Sequence, residues 1–176
     1  MALTRVVPTN IIGRIRNLIL GKEKPNLLIR VSCGIGLVIW IYLVSWHVLT
    51  LLALLLYRTL KHPEAIIAAF NRVGGRYGLG DPMNILFGHA TLQLILYFIM
   101  LIGLILIYRK KRFGFILYIF ATAATFLATF IIMGSKYMVN ETSLTDAALL
   151  VASAIYFGIG LLLFFKKPKE KSASND

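Results

Sequence analysis

Apolar residues run almost unbroken through four stretches of the chain, Val31 to Tyr57, Ile85 to Tyr108, Phe113 to Met133 and Leu144 to Phe165, while polar residues gather between them. Apart from Asp146 at the mouth of the last, none of these stretches holds a Lys, Arg, Asp or Glu. A bilayer core about 30 Å thick takes about 20 such residues per helix. The pattern therefore predicts an all-α integral membrane protein, a bundle of four transmembrane helices over residues 31–57, 85–108, 113–133 and 144–165. The first run follows a 30-residue polar and basic segment, is longer than a signal-peptide core of about 7–15 residues, and lacks a small-residue cleavage site. It is expected to remain in the mature protein.

Two shorter stretches carry a helical period. In "TNIIGRIRNLILG", Ile11, Ile12, Ile15, Leu18 and Ile19 share one face, with Arg14, Arg16 and Asn17 on the rest. This predicts an amphipathic helix lying on the membrane within the basic segment 1–30, capped by Thr9 or Asn10 and stopped by Gly21. In the loop 58–84, "HPEAIIAAFNRVGG" places Pro63 at a first helical position, Ile66, Ile67, Phe70 and Val73 at helical spacing, and Gly74-Gly75 as a stop. Asp81-Pro82 then reads as a cap and starting proline for the second span. The glycines of "GGRYGLG" do not form a dinucleotide fingerprint and follow no strand.

Composition removes the soluble alternative. The chain is 59% hydrophobic and 15% charged, against about 45–50% apolar and about 25% charged in soluble domains. Of the 19 Lys and Arg residues, fourteen fall in the N-terminal segment, the "RKKR" turn at 109–112 and the polar tail 166–176. Positive charge stays on the cytoplasmic side, so both termini are expected there, and the cell (inner) membrane is the expected location. The net charge of +12 hugs the ends of the spans with no interleaved aromatic patch. It points to topology and anionic headgroups rather than nucleic acid. The tail "KKPKEKSASND" is expected to be disordered. Short connections at 109–112 and 134–143 make the second, third and fourth spans a compact antiparallel unit, and no internal repeat is visible.

The candidate chemistry is sparse. Cys33 stands alone, so it forms no intramolecular disulfide or metal site and reads as small apolar filler. Ionisable and strongly polar side chains within a span are functional candidates, and here they are His47, His89, Gln93 and Asp146. Ser143-Leu144-Thr145-Asp146 matches a capping box, which accounts for Asp146 without chemistry. Thr122, Thr125 and Thr129 recur along one side of the third span beside Ala121, Ala124 and Ala128, a small and polar stripe suited to close helix contact. His47 is expected to hydrogen-bond across to that stripe as helix-to-helix glue. Centring the membrane on each run places His47 about 4–5 Å and His89 about 11 Å outside the midplane. That mismatch argues against a haem held between them, and no other cofactor is implied. Asn140-Glu141-Thr142 fits a glycosylation acceptor pattern by chance. No nucleophile with a paired base, no carboxylate pair and no metal-ligand spacing appears.

The resulting expectation is a non-catalytic membrane protein, an accessory or structural subunit of a larger membrane complex that contacts other subunits or itself. One alternative is a small oligomeric transporter or channel with His47, His89 and Gln93 along its path. The other is a haem-carrying electron-transfer subunit.

Overall fold

The computed structural model describes residues 11–21, 25–57, 59–141, 148, 151–153, 155–156 and 159–160. The described residues contain no strand, and up to residue 141 they form five helices: α1 (Ile11–Leu20), α2 (Leu27–Leu56), α3 (Glu64–Tyr77), α4 (Pro82–Tyr108) and α5 (Phe113–Glu141). Three of these, α2, α4 and α5, are long and apolar enough to cross a membrane. The fourth predicted span falls mostly outside the described residues, though those described between 148 and 160 are helical. Asp146, its capping box, the Thr9 and Asn10 caps and the tail 166–176 also lie outside them.

Local chemistry sets the boundaries. Asn26 caps α2 by accepting from the Ile29 amide at 3.1 Å, so this helix starts four residues before the apolar run it contains. Asp81 accepts from the Asn84 amide at 3.3 Å and Pro82 occupies the first position of α4, where its missing N–H costs nothing. The helix thus begins three residues ahead of Ile85. The predicted end of the third span at Met133 falls just before a break in α5. Gly134 breaks α5 with φ +82° and ψ +169°, a region almost confined to glycine, and helix resumes beyond it to Glu141.

In the loop, two details differ from the sequence reading. Pro63 is the residue before α3 rather than its first helical residue, and its carbonyl accepts from Ile66 and Ile67. Gly74 and Gly75 do not stop the helix. They lie within it, and Gly78 ends it at φ +71°, with the Leu79 amide returning to the Gly74 carbonyl at 2.9 Å. The need at Gly74 is space, because a β-carbon there would collide with the Pro82 ring.

α4 is the middle helix, in extensive contact with both α2 and α5. The α4–α5 hairpin is closed by residues 109–112, with Lys110 at φ +58°. Its backbones meet at two glycines: a β-carbon on Gly103 would sit 2.9 Å from the Tyr118 nitrogen, and one on Gly114 2.6 Å from the Ile107 nitrogen. Small residues that admit close backbone approach are a main source of helix association in lipid. Near the same end, Tyr156 hydrogen-bonds to the Ser32 carbonyl, covers Gly36 and lies 5.0 Å from the Tyr118 ring. At the opposite end Leu54, Leu86 and Met133 form a second apolar cluster, roofed by Phe70 and Val73 of α3, and Tyr77 meets Tyr137 edge-on at 5.0 Å.

Candidate functional site: a buried polar layer

Between the cluster of Leu54, Leu86 and Met133 and a larger one that includes Tyr97, Met100, Leu104, Tyr118 and Ala121 lies the polar layer of the bundle. Along α4 it falls between Leu86 and Tyr97, and along α5 between Ala121 and Met133. Gln93 is 1% exposed and its Nε2 stands at the centre, 3.0 Å from the Thr125 carbonyl, 2.9 Å from Thr129 Oγ1 and 3.2 Å from His89 Nε2. His89, one turn earlier, has its Nε2 3.1 Å from the same Thr129 hydroxyl. A helix places residues i and i+4 on one face, so His89 and Gln93 reach α5 together.

Either neutral imidazole form gives His89 Nε2 a partner. With a hydrogen on Nε2, His89 donates to Thr129, whose own O–H donates to the Thr125 carbonyl at 2.9 Å. With the hydrogen on Nδ1, His89 Nε2 accepts from Gln93. Thr122 and Thr125 turn their hydroxyls to the Tyr118 and Thr122 carbonyls of their own helix, at 2.9 and 2.7 Å. Of the threonine stripe, Thr129 therefore holds α4 by its side chain and Thr125 by its carbonyl. Thr122 is buried in the contact without bonding across it.

His47 turns its Nδ1 to the Leu43 carbonyl of its own helix at 2.9 Å. Its ring lies 5.8 Å from His89 and 5.2 Å, edge-on, from Tyr97. The two histidines are therefore neighbours, and the depth mismatch drawn from the apolar runs is corrected. The observed middles of α2 and α4 fall at Ile41–Tyr42 and Ile95, which puts His47 and His89 about 8 and about 9 Å toward the same end. The earlier helix starts moved both midpoints. A haem between them still does not fit, because His89 directs its Nε2 at α5 rather than across to His47.

Sequence reasoning missed two partners of this layer. Trp40 Nε1 donates to the Tyr97 carbonyl at 2.7 Å, tying α2 to α4 about two turns inside the histidines. Tyr97 supplies its ring to His47 as well. Both are aromatic residues of the spans, a signal that packing alone also produces. Gln93 Oε1 is buried and has no hydrogen-bond partner among the described residues. No group of three His, Cys, Asp or Glu side chains among the described residues is placed to hold a metal ion.

No protein-family model matches the chain, and no match is found among curated proteins or among solved structures.

Proposed function

We propose that the protein is a non-catalytic, four-span integral membrane protein that serves as an accessory or structural subunit of a larger membrane complex, with both termini cytoplasmic. The observation that carries the reading is the inward-facing polar layer, in which Gln93 Nε2 and His89 Nε2 bond to α5. His89 and Gln93 are spent on Thr125 and Thr129 and are bounded above and below by apolar clusters. Polar groups used this way hold helices together. What remains for other molecules is the outer surface, above all α2, whose Ile35, Val38, Tyr42, Trp46 and Leu49 are all more than half exposed. α4 packs against Thr125 and Thr129, so this reading assigns partner contacts to other faces. The test is purification of the C-terminally tagged protein from its native membrane in mild detergent, followed by mass spectrometry of what accompanies it. Larger membrane proteins in fixed ratio are expected; a lone homo-oligomer overturns the reading.

A second reading, a small oligomeric transporter or channel, draws on the contact of His47 with His89 and on the unpartnered Gln93 Oε1. Replacing His47 by Leu separates the two. Transport lost with assembly retained supports the path, and assembly lost supports the subunit.

A further inference from the structure

Gly21 ends α1 at φ +84°, and the side chain of Arg109 lies against it: a β-carbon on Gly21 would sit 3.7 Å from Arg109 Cγ and 3.8 Å from Nε. Arg109 is itself the C-terminal cap of α4. The C-terminal ends of α1 and α4 thus converge on the basic turn 109–112. Helix C-termini carry partial negative charge, which a guanidinium answers, and this gives α1 a physical reason to dock here. The result gathers charge from distant parts of the chain. Arg14 and Arg16 of α1, Arg30 of α2 and Arg109 to Arg112 of the turn are all exposed near this end.

A second property of α1 narrows the partner. Ile11, Leu18 and Ile19 are 73%, 77% and 44% exposed, so no described part of the chain covers this apolar arc. At about 100° per residue, Arg14 falls about 60° to one side of Ile11 and Arg16 about 140° to the other, so the two guanidiniums flank the arc. That is the profile of a helix lying in the membrane plane, with apolar side chains in the acyl boundary and cations at headgroup level. Glu64 and Asp81 lie on α3 and at the start of α4, toward the opposite end of the bundle; Glu23 is the acidic residue near α1 in sequence. An acidic protein segment would match the charge and leave the arc uncovered. An anionic lipid meets both.

We propose that α1 and the Arg109–Arg112 turn together form a binding surface for anionic phospholipid headgroups. The inference rests on the chain being embedded in a bilayer and not on the subunit reading, so either can fail without the other. The probe is native mass spectrometry of the full chain released from nanodiscs of mixed phosphatidylcholine and phosphatidylglycerol. Wild-type protein is expected to retain phosphatidylglycerol preferentially. Replacing Arg16 and Arg109 by Gln is expected to lower that preference about fivefold for each charge removed. Arg72→Gln, an exposed arginine on α3, is expected to leave it unchanged. Leu18→Ser keeps every charge and is expected to weaken retention through the apolar arc, which keeps the test open if the double variant misfolds. Equal retention of the two lipids by wild type, an equal loss in Arg72→Gln, or full retention in Leu18→Ser would overturn the proposal.

Discussion

The indole Nε1 of Trp40 on α2 donates to the main-chain carbonyl of Tyr97 on α4 at 2.7 Å. The carbonyl's second lone pair takes this bond without giving up the helical one, so the contact joins two spans at no expense to either. Trp40→Phe keeps most of the ring and removes the donor. Interhelical hydrogen bonds in lipid average about 0.6 kcal/mol and reach about 1.7. A loss in that range is expected, measured by reversible unfolding in bicelles or mixed micelles, with no change in helix content.

The Thr129 hydroxyl is shared by His89 and Gln93, at 3.1 and 2.9 Å, whereas that of Thr122 stays within its own helix. Double-mutant cycles therefore separate two residues that look alike in sequence. Thr129→Val with His89→Leu is expected to show coupling of about 0.5–1.5 kcal/mol. Thr122→Val with His89→Leu is expected to show none beyond error. Equal couplings would mean that the layer is held by packing alone.

Glycines of one helix type are expected to differ sharply. A β-carbon at Gly103 meets the backbone of Tyr118 at 2.9 Å and Gly114 at 3.1 Å, atoms that cannot move without shifting α5. Gly103→Ala is expected to cost about 1–3 kcal/mol. At Gly75 nothing lies within 4 Å, and Gly75→Ala is expected to stabilise α3 by about 0.5–1 kcal/mol. Unfolding of the two variants side by side checks both signs.

Gly134 sets the direction of the end of α5. Its φ of +82° with ψ +169° suits glycine and strains any other residue by about 1–3 kcal/mol. Gly134→Ala is expected to straighten α5 and draw Tyr137 from Tyr77, which it now meets at 5.0 Å. Faster proteolysis within α3, measured on the reconstituted protein, is the expected sign.

The membrane-spanning helices were legible because a long uncharged run has few other fates. Asp81-Pro82 was legible because a side-chain cap and a starting proline are local signals. Registration was not. Whether His47 stands beside His89 depends on where both helices start, and Asn26 and Asp81 shift those starts by four and three residues from the edges of the apolar runs. The faces were equally hidden. In lipid every side of a span is apolar, so nothing in sequence separates Gly103, pressed on Tyr118, from Gly88, which meets nothing within 4 Å. Gln93 and the threonines were recognisable as polar residues, but their mutual bonds required the hairpin to be closed.

The central place of α4 bears on how the chain is made. α2 is synthesised before α4 and α5 and must wait in lipid with no Lys, Arg, Asp or Glu beyond its first turn and His47 as its one histidine, and a largely apolar surface equips it for that wait. His89 and Gln93 arrive with α4, but Thr125 and Thr129 arrive only with α5. A nascent chain halted before α5 would hold both polar side chains in the bilayer without their partners. Such an unfinished chain carries its own mark of incompleteness, legible to a membrane protease that recognises exposed polar groups.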